Sequence, residues 1–147
     1  MVLLRFARCV VSLSGVRRRL LAEAAMALAV TRLALGTLPF RVVMRTYGLT
    51  VKADKPVTSS RDFEALMVGW AVARAAKHMP FRAVCLQQAL AASLMLQRRG
   101  LAVEVHFGVT KAMDGALLAH AWCCSAGAAV VGTRVADQHT PIAVFVA

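Results

Sequence analysis

The stretch CLQQALAASLMLQRRG, residues 85–100, decides how the rest of the chain is read. Leu86, Leu90 and Leu94, with Ala89 and Ser93 beside them, recur at spacings of three and four. Its interior holds no Gly, Pro or β-branched residue, so a helix over 85–99 is expected. Arg98 and Arg99 suit the negative end of that helix, and Gly100 is a natural stop. Beyond Gly100 the period changes. In 101–110 (LAVEVHFGVT), Val103, Val105, Phe107 and Val109 share one face opposite Glu104 and His106, which is a strand pattern. Residues 116–124 (ALLAHAWCC), 128–131 (AAVV) and 142–146 (IAVFV) are further strands, separated by Gly, Ser and Thr.

Upstream, residues 16–47 read as helical, with Leu20, Leu21, Ala24, Leu28, Leu33 and Leu35 among arginines and breaks at Gly36 and Pro39. Residues 48–60 (GLTVKADKPVTSS) are polar, contain Pro56, and read as a connecting loop. Ser59-Ser60 ahead of Asp62 and Glu64 suit a helix start, since a hydroxyl can accept an orphan amide and acids favour the positive end. The helix expected over Phe63–Ala76 would bury Leu66, Val68, Trp70, Ala71 and Ala73 in part, and His78-Met79-Pro80 would end it. Helices first and consecutive strands afterwards predict an α+β domain: N-terminal helices, then a Cys-bearing helix packed on an antiparallel sheet. At 147 residues the chain fits one domain over 1–147, with a basic apolar helical layer (1–47), a connecting loop (48–60) and a core (61–147).

Composition narrows the function classes. Hydrophobic residues make up 59% and charged residues 17%, which excludes intrinsic disorder. The longest apolar run in the first half, Ala24–Val30, is bracketed by Glu23 and Arg32, so no segment is expected to span a bilayer. The net charge of +11 is uneven: residues 1–53 hold nine Arg or Lys against Glu23 alone. That suits an anionic partner such as membrane headgroups, nucleic acid or an acidic protein, or simply a solvated basic face. No nucleic-acid motif accompanies it, so nucleic acid is not expected, and a peripheral membrane contact stays open. Arg17–Arg19 interrupt the first apolar stretch and argue against a secretory signal. A cytoplasmic location with reduced thiols is the expectation.

The four cysteines (Cys9, Cys85, Cys123, Cys124) have neither zinc-finger nor secreted-scaffold spacing. Cys85 falls in the first turn of the expected helix, where unpaired amides and the helix dipole favour a thiolate. His120, within Ala119-His120-Ala121-Trp122, lies on an expected strand. A helix-borne thiol facing a strand-borne imidazole is the layout of a Cys–His nucleophilic pair; the competing reading is a small buried Cys and a core His. Gln87 and Gln88, with the Cys85 amide, are candidates to support an oxyanion. Cys124 and Trp122 share the His120 face and Cys123 points the other way. A His120–Cys124–Cys85 zinc site lacks companion ligands, and no metal or cofactor is expected. His78, His106 and His139 have no evident partners and read as structural.

The runs Cys85–Ala91 and Arg98-Arg99-Gly100, then Phe107-Gly108-Val109-Thr110 and above all Ala119-His120-Ala121-Trp122, resemble one family, the lasso-peptide biosynthesis leader peptidases. These are transglutaminase-like (papain-like) cysteine proteases, and Val16–Arg45 with Leu38-Pro39-Phe40 is similar to their opening. The resemblance covers roughly residues 16–146. It implies that Cys85 is the nucleophile and His120 the general base and acid, acting on a ribosomally made precursor peptide. It further implies a separate small leader-recognition protein, for which this chain is too short to carry a domain, and an asparagine-synthetase-like lasso cyclase that receives the core. The family's usual Asp would fall on Val131-Gly132-Thr133, which contains no acid. Asp137 is the only carboxylate after His120 and is the candidate third member; a backbone carbonyl near Gly132, or a water, is the alternative. Acyl transfer to an amine on the same Cys and His, and a non-enzymatic basic binding module, are the competing functions.

Overall fold

The computed structural model describes residues 14–51 and 62–147, so Cys9, Ser59-Ser60 and most of the connecting loop lie outside the described residues. In chain order the elements are α1 (Gly15–Thr37), α2 (Phe40–Thr46), β1 (Thr50–Val51), α3 (Asp62–Ala76) and α4 (Cys85–Gln97). They continue with β2 (Glu104–Lys111), β3 (Leu117–Ser125), β4 (Ala128–Val131), a 3-10 turn at Thr133–Gln138, and β5 (Thr140–Val146). The fold is α+β. The strands form one antiparallel sheet in the order β1-β5-β2-β3-β4.

Each helix ends for a local reason. The Leu38 amide still bonds back to the Ala34 carbonyl, but Pro39 has no N–H and the chain turns into α2. α4 ends at Gln97, and the turn that leaves it passes through Gly100, whose φ of 65° a side chain would strain. The loop expected over 48–60 is shorter at its start than its polarity implies, because Thr50 and Val51 pair with Val146 and Phe145 as the edge strand β1.

α3 and α4 pack on the sheet, and α1 packs on α3 and α4. The core joins Leu21 and Leu28, Val68 and Val72, and Leu90 and Leu96 to Val105, Ala121 and Cys123 of the sheet. Each such large side chain contributes about 1.5–3 kcal/mol when fully buried. Two sequence expectations fail here: Leu66 and Ala73 are exposed, and Ala65 and Ala75 take the inner positions of α3. At Gly69 the helix approaches β4 so closely that a Cβ would lie 2.0 Å from the Val130 carbonyl oxygen.

α1 is clamped as well as packed. Arg99 grips Glu23 with two bonds, Nη1 to Oε1 at 3.0 Å and Nη2 to Oε2 at 2.6 Å. That guanidinium holds the Glu23 carboxyl below its ordinary range. Thr31 Oγ1 and the Tyr47 hydroxyl, both buried, bond at 2.9 Å. α1 has 23 residues and contains an 18-residue window of mean hydropathy 1.4, long and apolar enough to cross a bilayer by length and composition, a test that the core helix of a soluble protein also passes.

Candidate active site

Cys85 opens α4, half-buried, with a free thiol. The preceding residue, Val84, has no side-chain acceptor, so the first-turn amides of α4 receive no side-chain cap. Both neighbouring glutamines bond to the approach to the helix. Gln87, buried, accepts the Val84 N–H at 3.3 Å, and Gln88 donates to the Ala83 carbonyl at 2.8 Å. They hold the Cys-bearing turn in place, Gln87 through its oxygen and Gln88 through its amide nitrogen. The Cys85 amide remains a candidate donor.

His120 sits mid-strand in β3, opposite Gly108 of β2. Its Nε2 lies 2.6 Å from the Gly132 carbonyl oxygen. A carbonyl can only accept, so Nε2 carries a proton, and in the neutral imidazole the lone pair is then on Nδ1. Gly132 follows β4 in the left-handed region, with φ of 76°. A Cβ there would come within 2.9 Å of the Ala121 carbonyl oxygen and 3.2 Å of Trp122 Cβ. Glycine is thus what lets this carbonyl face the imidazole.

Cys85 and His120 border one small cleft of about 140 Å³, with Leu86, Phe107, Gly108, Ala119, Ala121 and Ile142. They are not hydrogen-bonded to each other in this structure. Catalytic hydrogen bonds are often long without substrate and tighten in its presence. The thiol and the imidazole thus meet at one cleft, as the Cys–His reading expects. Ala121 and Cys123 point into the helical core, so alternation puts His120 and Trp122 on the opposite face. The cleft draws on residues of both faces.

Asp137 is not brought to the imidazole. It is exposed on the 3-10 turn and makes no hydrogen bond to His120, whose Nε2 is taken by Gly132. The physical reason is the turn itself: its tight winding presents the Val135 carbonyl to His139 Nδ1 at 2.8 Å and leaves Asp137 toward solvent.

Trp122, which shares the His120 face by strand alternation, does stack on the imidazole; what the sequence reading missed is that His106 and His139 join it. Trp122, only 6% exposed, lies between two imidazoles: His106 at 5.4 Å and 7°, and His120 at 5.9 Å and 19°. His139 stands 5.1 Å from His120. Gly108 makes room for it, since a Cβ there would meet the Trp122 ring at 2.9 Å. His106 also bonds Glu104 at 3.2 Å. His106 and His139 therefore have partners. The alternation of 106, 120 and 122 was the available signal for the first; nothing in the spacing placed His139.

The other described cysteines are poor nucleophiles. Burial pushes the Cys123 thiol far above its ordinary range, and burial followed by Glu104 raises that of Cys124. Among the described residues no three His, Cys, Asp or Glu side chains converge as metal ligands.

The family model of the transglutaminase-like superfamily matches residues 27–144, a span that holds Cys85, His120 and all of the sheet except Phe145 and Val146. The chain belongs to that superfamily, whose members are generally cysteine-based peptidases or transferases. Comparison with curated proteins and with solved structures finds no match.

Proposed function

We propose that this member of the superfamily is a cysteine peptidase that cuts one peptide bond in a ribosomally made precursor, releasing a lasso core peptide from its leader. The observation that carries the chemistry is the pairing of a helix-opening thiol with an imidazole whose Nε2 proton is committed to Gly132, both bordering one cleft. His120 Nδ1 takes the Cys85 proton, and Sγ attacks the scissile carbonyl carbon. The Cys85 amide donates to the oxygen of the tetrahedral intermediate. The imidazolium then returns its proton to the leaving amine, the C–N bond breaks, and a thioester remains. Water, deprotonated at Nδ1, opens the thioester and restores the thiol. The resemblance of the Cys85–Ala91 and Ala119–Trp122 runs supports the choice of substrate. It also supports a separate leader-recognition protein and a cyclase as partners in the cytoplasm.

The test incubates the full chain with a precursor peptide and its recognition protein, followed by intact-mass analysis. The expected product pair is free leader and core with a new N-terminus, lost entirely in Cys85→Ala and at least about a hundredfold slower in His120→Ala. Cleavage at the normal rate by Cys85→Ala would refute the reading. An added amine mass in place of a new N-terminus would turn it to acyl transfer.

A further inference from the structure

The outward face of α1 does not look like that of a helix meant for water. Its inner side supplies Leu20, Leu21, Ala24, Ala27, Leu28 and Thr31 to the core. Opposite these, Ala22, Met26, Val30 and Leu33 follow the three-and-four spacing along one exposed stripe, with Met26 66% and Leu33 67% exposed. A core helix normally turns charged residues outward; a helix that is apolar on both sides has something lying against it. The stripe continues into a groove lined by Ala22, Met26, Val30, Leu94, Met95 and Arg98.

Charge selects what lies there. Arg17, Arg18 and Arg19 are exposed at the head of α1, and Arg98, with a side chain 74% exposed, stands at the groove. The acid lining the groove is Glu23, which pairs with Arg99 and Arg98, and Glu64 of α3 also acts on Arg99. A second copy would bring arginines against arginines. An anionic surface is complementary, and a row of apolar side chains flanked by arginines is the pattern of a helix lying in a bilayer interface. We propose that the protein docks on an anionic lipid surface through α1, with Met26, Val30 and Leu33 inserted among the acyl chains and Arg18 and Arg19 at the headgroups. This inference does not depend on the proposed peptidase activity.

The experiment is flotation of the full chain with vesicles of phosphatidylcholine alone or mixed equally with phosphatidylglycerol. Binding is expected to the mixed vesicles only and to weaken at least tenfold as salt rises from low to physiological strength. The double variant Met26→Asp with Leu33→Asp should bind at least tenfold more weakly while keeping the parent's circular dichroism and melting temperature, because both sites are exposed. Arg18→Gln with Arg19→Gln should weaken binding less. No binding to the anionic vesicles overturns the proposal, including the case where an acidic protein binds the same face instead. Vesicle binding untouched by the two Asp substitutions also overturns it, by showing diffuse adsorption of a basic protein. Resistance to alkaline carbonate extraction would overturn it in favour of α1 spanning the bilayer.

Discussion

Replacing Gly132 with Ala tests the site at the atom that orients the imidazole. Two costs can be worked from the structure. A non-glycine residue at φ 76° pays roughly 1–2 kcal/mol of backbone strain. The added Cβ also lies 2.9 Å from the Ala121 carbonyl, so the Gly132 segment must shift away from β3 by some tenths of an ångström. The 2.6 Å bond to His120 Nε2 cannot survive that shift unchanged. During turnover it becomes charge-assisted as the imidazolium forms, and such bonds contribute about 1.5–3 kcal/mol, or roughly 10- to 150-fold in rate. Precursor cleavage should therefore slow by about that factor, mainly in kcat, with KM little changed because the cleft walls are untouched. Gly127→Ala is the matched control: its φ is 85°, and nothing lies within 4 Å of a Cβ there. It should lose comparable stability and keep its activity. A Gly132→Ala protein that melts cooperatively and cleaves within twofold of the parent would refute the reasoning. So would an Asp137→Asn variant that loses as much as Gly132→Ala.

Gly69→Ala should destabilise the protein by about 1–3 kcal/mol in urea unfolding, since a Cβ at 2.0 Å from the Val130 carbonyl oxygen meets unyielding backbone; an unchanged midpoint would count against the close α3–β4 approach. Glu23→Gln should cost about 1 kcal/mol at pH 7. Arg99 lowers the Glu23 carboxyl, so the pair's contribution is complete above the unfolded value near 4.5 and fades as pH falls through the lower folded value. The gap between parent and variant melting temperatures should accordingly close in acid, and a gap that widens there would contradict the clamp. Brief iodoacetamide treatment at neutral pH should alkylate the half-buried Cys85 well before Cys123, whose thiol burial holds protonated. Peptide mapping with the order reversed would remove the case for Cys85.

Local chemistry made much of the fold legible. The helix expected over 85–99 is observed at Cys85–Gln97, and the strand expected over 128–131 is Ala128–Val131, because apolar period and terminal glycines act over a few residues. β1 was not legible: two residues in a polar stretch become a strand only because Val146 and Phe145 arrive beside them from the far end of the chain. The burial of α3 was half right for a similar reason. Small residues at Ala65, Gly69 and Ala75 allow close packing, so the inner face is set by approach distance and the larger Leu66 is left outside. At the site, Cys85 and His120 could be picked out by residue type and flanking words. The outer-face position of His120 also follows from alternation, once Ala121 and Cys123 are known to face the helices. Which group holds the imidazole could not be settled that way, because both Gly132 and Asp137 lie close in sequence and only the left-handed turn at Gly132 separates them.

The support of His120 runs through three glycines. Gly69 lets α3 press on β4, β4 delivers the chain to Gly132, and Gly132 turns its carbonyl onto Nε2; on the same face Gly108 admits the Trp122 ring that stacks against the imidazole. In each case a missing Cβ is used to bring rigid groups close. A carboxylate at the third position would stabilise the imidazolium with a full charge, at the expense of desolvating that charge beside an apolar cleft. A carbonyl offers only a dipole, yet it needs no desolvated ion and its direction is fixed by the sheet. It selects the same tautomer, leaving Nδ1 as the base, with weaker electrostatic help. The expected consequence is an enzyme of modest intrinsic rate whose imidazole is held by backbone geometry, so that introducing bulk at Gly132, Gly69 or Gly108 disturbs the site more than removing the nearby acid does.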